Sequence, residues 1–232
     1  MGIINITSDS FFGDGVLGSK KLLQQRFLTA RNMGIKFLDI GCISTKPNFK
    51  SIDKLDELNR FEYFLNNMNN EFKYSIDSNT VEVIDKALGS GFSVVNDVFG
   101  FQNQEIINKA VEFGCGIILV HRHPLSQNIH EKMEYKDIVS EVKVQINKQV
   151  SRLIDSGLHE SQIAIDPGLG FGKKLEDSAR LLLEIEKLAG GFPLIVGYSN
   201  KKFIDSASLP KESLLDHCYN SGVSLVRLHI DK

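Results

Sequence analysis

Eight short apolar runs alternate with longer stretches of helical periodicity along this 232-residue chain, and that alternation confines it to a parallel sheet flanked by helices. The runs occupy residues 2–6, 36–40, 73–77, 93–96, 116–121, 162–166, 194–197 and 224–229. Helical patterns fill residues 20–33, 54–69, 80–90, 105–113, 135–156, 175–188 and 211–220. Gly34, Gly91, Gly114, Gly157 and Gly222 stand between a helical pattern and the next run, where glycine ends a helix in the left-handed conformation. "NMGIKFLDI", "GSGFSVVND", "FGCGIILVH" and "NSGVSLVRLH" repeat that order of helix, glycine and strand.

A parallel sheet of eight strands closes more readily than it stays open, so the expected class is α/β, a (β/α)8 TIM barrel. An open doubly wound sheet is the alternative. Lys232 follows the eighth run almost at once, so the barrel is expected to lack its final helix. No linker or shift of composition divides the chain, which reads as one domain over residues 1–232.

The formal net charge of −2 gives neither nucleic acid nor an anionic membrane a reason to be the main partner. No run approaches the ~18 apolar residues needed to cross a bilayer, and the amino terminus shows no basic segment ahead of an apolar stretch. A cytoplasmic location is therefore expected. Cys42, Cys115 and Cys218 lie far apart, which suggests neither a disulfide framework nor a zinc knuckle.

In a barrel the chemistry gathers at the carboxyl ends of the strands, and polar residues do stand where each run stops. The first run ends at Asn5 and Thr7, the second at Asp39, the third at Asp77, and the fourth at Asn96 and Asp97. The fifth ends at His121, the sixth at Asp166, the seventh leads to Ser199 and Lys201, and the eighth carries Arg227 and His229. Any one of these could be an ordinary cap or turn residue; the full set is too regular for that.

Two carboxylates and an amide, Asp77, Asp166 and Asn96, suit a flat heterocycle that presents amino and ring N–H donors beside a carbonyl. Lys201, Arg227 and His229 with Asn5 make a cationic and polar group suited to phosphate oxygens. The implied substrate is part heterocycle and part polyanion.

These residues sit in blocks that resemble the dihydropteroate synthase family. "MGIINITSDSFFGDG" and "FLDIGCISTKP" resemble its two amino-terminal signatures, and "YSIDS", "VVNDV", "IAIDPGLGFGK", "GYSNKKFI" and "VRLHIDK" follow in the family's order. The resemblance spans essentially the whole chain. It implies a barrel transferase of folate biosynthesis that condenses 7,8-dihydropterin-6-ylmethyl diphosphate with p-aminobenzoate to give 7,8-dihydropteroate and diphosphate, with Mg2+ on the diphosphate.

By that resemblance Asp77, Asn96, Asp166 and Lys201 would bind the pterin, and Asp77, Asp166 and Lys201 would act in catalysis. Asn5, Arg227 and His229 would hold the diphosphate, with Asn5 on the metal. The first two loops, carrying Asp9, Ser10, Phe11, Ser44, Thr45, Lys46 and Pro47, would close over p-aminobenzoate. Thr45, Phe171 and Ser199 would contact it, Ser199 lying near a helix N-terminus that favours the carboxylate. A homodimer, or a fused or associated folate-pathway domain, would cover the side left by the missing last helix.

The sequence departs from the family pattern at five places: Ser8 stands where proline is usual, Cys42 replaces a glycine, Ile43 an acid, Lys46 an arginine, and Asn200 an arginine. Ile43 and Asn200 suggest a non-catalytic pterin-binding or partner protein of the same fold as the alternative. A pterin-dependent methyltransferase would have no need of Ser199, Lys201 or the pair Arg227 and His229. His121 and His123 have the spacing of a zinc pair in barrel hydrolases, although they lie at the fifth run rather than the first. "GLGFGKK" lacks the ending of a phosphate loop and reads as a loop that shapes the sixth strand's end.

Overall fold

A computed structural model of the chain describes residues 1–7, 16–43, 52–126, 128–188, 190–199, 202–206 and 210–230. Its strands are β1 (Gly2–Asn5), β2 (Phe37–Gly41), β3 (Lys73–Asp77), β4 (Val94–Asp97), β5 (Gly116–Val120), β6 (Ile163–Asp166), β7 (Leu194–Gly197) and β8 (Val223–His229). The helices are α1 (Lys20–Asn32), α2 (Lys54–Leu65), α3 (Val81–Gly89), α4 (Gln104–Phe113), α5 (Ile138–Asp155), α6 (Leu175–Leu183) and α7 (Leu214–Asn220). The strands pair in sequence order and β8 returns to β1, which makes the class a (β/α)8 barrel. Among the described residues seven α-helices accompany the eight strands and none follows β8.

Local chemistry sets the element boundaries. Ser19 caps α1 by accepting from the Leu22 amide at 3.3 Å, and Asp53 caps α2 by accepting from the Asp56 amide at 2.8 Å. Asn103 does the same for α4, accepting from the Glu105 amide at 2.9 Å. At the start of α5 the Glu141 carboxylate accepts from the Lys136 and Asp137 amides, so the helix begins at Ile138 and not at the expected residue 135. All five glycines expected to end helices have positive φ.

The helical pattern over 175–188 is interrupted. α6 stops at Leu183, and Ile185–Leu188 form a separate 3-10 turn. Ile185 and Leu188 are both buried, and the tighter turn places residues three apart on one face. The pattern over 211–220 likewise opens with a 3-10 turn at Lys211–Ser213 before α7.

Met1–Asn96 with Leu228–Lys232, and Asp97–Arg227, form two compact units. In the first, Phe27, Phe61, Phe64, Phe72, Tyr74 and Phe92 pack as one aromatic cluster, Phe64 lying 5.5 Å from the Tyr74 ring and 6.1 Å from that of Phe92. The buried Arg26 of α1 donates to the Ile230 carbonyl at 3.0 Å and ties α1 to the chain just beyond β8. In the second unit β5 and β6 are buried, as are Val142, Ile146 and Leu153 of α5 and Leu181 and Leu182 of α6. Parallel strands buried on both faces account for the nearly uninterrupted apolar character of the runs.

Candidate active site

In the first unit the sheet register places four strand-end residues at one level: Asn5 opposite Gly41, Gly41 opposite Asp77, and Asp77 opposite Asn96. A side chain at position 41 would crowd the site, since a Cβ there would stand 3.2 Å from the Asn5 Oδ1 and the Asn5 side chain would have to give way. The glycine leaves the Asn5 and Asp77 side chains room at the strand ends. His229, at the end of β8, pairs with Ile3 of β1.

Two residues before Gly41, the carboxylate of Asp39 is completely buried. Its Oδ1 accepts from the Ser75 hydroxyl, and its Oδ2 accepts from the Asn96 Nδ2 at 3.1 Å. The Asn96 amide is thereby oriented with its nitrogen turned towards Asp39. The Asn96 Oδ1 is buried and meets no hydrogen-bond donor among the described residues. A buried carbonyl left in that state costs on the order of 1–3 kcal/mol, which a donor on a ligand would recover.

The turn after Asp77 is held from behind. Glu57 of α2 is fully buried, and its carboxylate accepts from the Ser78 hydroxyl at 2.6 Å and from the Thr80 hydroxyl. Cys42 beside this network is buried, and burial pushes its thiol far above the usual range, so it stays protonated and unreactive.

In the second unit Asp166 ends β6 opposite Val120 of β5, and its main-chain carbonyl accepts from the His121 amide at 2.8 Å. The Asp166 carboxylate accepts from the Gly168 amide at 2.8 Å, and its other oxygen lies 3.9 Å from the Arg227 Nη1. Both side chains are buried, so the structure brings these two expected site residues together. Phe171 is half-buried in the loop after β6, and Ser199 is half-buried just past β7.

Among the described residues no α-helix begins directly after Ser199. The next described helix is a 3-10 turn, Lys202–Ser206, and α7 begins only at Leu214. A single short turn has too few aligned peptide dipoles to supply the expected carboxylate-binding field. Thr45 and Lys201 lie outside the described residues, as do Asp9, Ser10, Phe11, Ser44, Lys46, Pro47 and Asn200.

The two histidines after β5 have separate partners. The Nε2 of His121 lies 2.8 Å from the Gln145 Oε1, and the ring is completely buried. Burial, reinforced by the charge of Lys173, holds the His121 imidazole well below its usual pKa, so it is neutral. His123 instead accepts from the Leu125 amide at 3.2 Å and packs edge-on against Tyr135.

Residues 1–229 match the family model described as "Pterin binding enzyme". The chain belongs to the pterin binding enzyme family. A dihydropteroate synthase from Synechocystis is 34% identical over 88% of this chain and 72% of its own length. The structure of Xanthomonas albilineans dihydropteroate synthase with 4-aminobenzoic acid superposes with a TM-score of 0.83 at 25% identity, covering 98% of this chain and 86% of that one. The Anaplasma phagocytophilum dihydropteroate synthase with bound 6-hydroxymethylpterin-monophosphate superposes with the same TM-score of 0.83 at 25% identity, over 98% of this chain and 91% of that one.

In this pterin binding enzyme several site-forming residues carry little signal in the sequence. Asp39 is visible as a carboxylate inside an apolar run, but its partners Ser75 and Asn96 emerge only from the strand register. Glu57 looks like any surface helix acid. Lys173 follows the third glycine of "GLGFGKK" and is buried against the loop's own carbonyls, which accounts for that stretch without a phosphate.

Proposed function

We infer that the chain is a dihydropteroate synthase, an enzyme that joins 7,8-dihydropterin-6-ylmethyl diphosphate to p-aminobenzoate and releases diphosphate in folate biosynthesis. The observation that carries the residue roles is the Asn96 amide, whose orientation is fixed by Asp39 and whose buried Oδ1 awaits a donor. A pterin ring offers such donors.

On this reading Asp77 and Asn96 of the first unit accept from the amino and ring N–H groups of the pterin. In the second unit Asp166 does the same, its charge balanced by Arg227 at 3.9 Å. Lys201 completes the pterin contacts. Arg227 also serves the diphosphate, together with Asn5 and His229. Thr45, Phe171 and Ser199 take p-aminobenzoate.

Among the described residues no three His, Cys, Asp or Glu side chains stand together as a metal site. On this reading a Mg2+ would be held mainly by diphosphate oxygens and water, with Asn5 as the protein ligand, since Mg2+ keeps much of its hydration shell. When bound, the metal would withdraw charge from the departing diphosphate.

The residues need no covalent nucleophile and no strong base. Arg227 and His229 stabilise the charge that grows on the leaving group, while Asp77 and Asp166 stabilise positive charge on the pterin as its methylene carbon–oxygen bond breaks. The amine of p-aminobenzoate then attacks that carbon and gives up one proton to the released diphosphate or to solvent. Preorganised charge supplies the rate, because the donors and acceptors are in place before the bond breaks.

No described helix is long and apolar enough to cross a membrane. The reading includes a cytoplasmic location and a homodimer or an associated folate-pathway domain; the exposed Leu215 and Tyr219 on α7 support such a partner.

A diphosphate-release assay with the dihydropterin diphosphate, p-aminobenzoate and Mg2+ tests the activity. Turnover that disappears in Asp77→Ala is the expected result. Tight pterin binding by calorimetry without turnover would instead make the chain a non-catalytic binding protein, and methyl transfer from methyltetrahydrofolate would make it a methyltransferase.

A further inference from the structure

Lys173 is 4% exposed, and its ammonium donates to three main-chain carbonyls: Gly168 at 3.0 Å, Phe171 at 3.2 Å and His121 at 3.4 Å. An ammonium has three N–H donors and no acceptor, so it can serve all three carbonyls at once. Two of the carbonyls belong to the loop after β6 and the third to the residue after β5. The side chain thus binds the Phe171 loop to the end of the neighbouring strand.

The loop itself is shaped for this contact. Gly168, Gly170 and Gly172 all have positive φ, at 64°, 79° and 59°. A Cβ on Gly168 would stand 2.2 Å from the His121 carbonyl oxygen, and one on Gly172 would stand 2.9 Å from that of Glu131. The Gly170 amide donates to the Ser178 hydroxyl of α6 at 3.1 Å, and the Phe171 amide donates to the Gly168 carbonyl at 3.0 Å. Phe171, between Gly170 and Gly172, is the loop residue whose aromatic side chain keeps partial exposure.

We propose that Lys173 is a positioning residue for the aminobenzoate half of the reaction, setting the Phe171 ring by gathering the carbonyls of His121, Gly168 and Phe171 around its ammonium. The proposal rests on the reading that Phe171 lines the aminobenzoate site. The desolvation of a buried ammonium is offset here by main-chain oxygens, and removing it would take one donor from each of them while the Gly168 oxygen keeps the Phe171 amide. The loop would then relax around Phe171, while Asp77 and Asn96, whose contacts lie in the first unit, would keep their geometry.

The test is steady-state kinetics on the full chain for the unaltered protein, Lys173→Met and Lys173→Gln, varying each substrate in turn. The expected result is a KM for p-aminobenzoate raised by about tenfold or more in Lys173→Met, a KM for the dihydropterin diphosphate within about twofold of the original, and an intermediate effect in Lys173→Gln, which keeps two N–H donors. Unchanged KM values, or KM values that rise in parallel for both substrates, would overturn the positioning role. Failure of both variants to fold, seen by circular dichroism, would also overturn it and make Lys173 a folding residue. An unaltered protein with no turnover would instead refute the synthase reading, and this proposal with it.

Discussion

The Asn96 side-chain nitrogen donates to the Asp39 carboxylate across 3.1 Å, so a residue outside the expected pterin set decides which end of the Asn96 amide a ligand meets. Asp39→Leu keeps a similar volume and removes both acceptors, so the Asn96 nitrogen loses the partner that orients the amide. Pterin affinity should fall by about 10–100-fold, the equivalent of about 1–3 kcal/mol. Isothermal calorimetry with a pterin measures it, and unchanged affinity would show that the orientation of Asn96 does not depend on Asp39.

Arg227 and Asp166 are buried with 3.9 Å between Nη1 and Oδ2. Arg227→Met should raise the KM for the dihydropterin diphosphate and lower stability by about 1–3 kcal/mol, because the buried Asp166 carboxylate loses the guanidinium 3.9 Å away. The double variant with Asp166→Asn should recover part of that stability, although activity stays lost. Urea unfolding of the three variants supplies the double-mutant cycle, and strict additivity would argue against coupling.

Asp97 is buried and its pKa is pushed up from 3.8 to about 6, chiefly by burial and despite hydrogen bonds from the Phe99 and Phe101 amides. The folded state therefore holds this proton more tightly than the unfolded state does. Its contribution to stability is complete below pH 3.8 and is lost as the pH rises through about 6. The change over that window is about 3 kcal/mol. Asp97→Asn should flatten the pH dependence of urea unfolding between these values; an unaltered slope would locate the titration elsewhere.

Gly168→Ala would put a Cβ 2.2 Å from the His121 carbonyl oxygen at a φ of 64°. The loop must move, at a cost of about 2–4 kcal/mol. Thermal unfolding followed by circular dichroism reads the loss. Gly18→Ala is the control that isolates backbone strain from the clash, since Gly18 also has positive φ but a Cβ there would meet nothing within 4 Å.

Phe64 joins the rings of Phe27, Phe61, Tyr74 and Phe92 and is completely buried. Phe64→Ala should destabilise the first unit by about 3–5 kcal/mol. A smaller loss in chemical denaturation would mean that the neighbouring rings collapse into the space.

The alternation of runs and helical patterns is sufficient to read the barrel, because most of its strands are largely buried, β8 less so, and glycines close five of its helices. The break between α6 and Ile185–Leu188 is not readable, since both segments keep the same apolar periodicity. Asp77, Asn96, Asp166 and Arg227 are legible as polar residues at the ends of apolar runs. The arrangement behind them is not. Lys173 and Lys174 are adjacent and chemically identical, yet one is enclosed by carbonyls and the other is half-exposed in an ion pair with Glu134 at 2.6 Å. Only the path of the glycine loop separates them.

Asp39, Ser75 and Asn96 come from three successive strands, so their contact exists only when β2, β3 and β4 lie in one alignment. Sliding β2 by a single residue would turn Asp39 away and present Leu38 or Ile40 to the Asn96 amide. Such a chain could still bury its apolar surface, but it could not offer the amide in the right sense to a ligand. The buried carboxylate thus makes molecular recognition a check on correct strand assembly, and a mispaired chain would gain no stability from the substrate's presence.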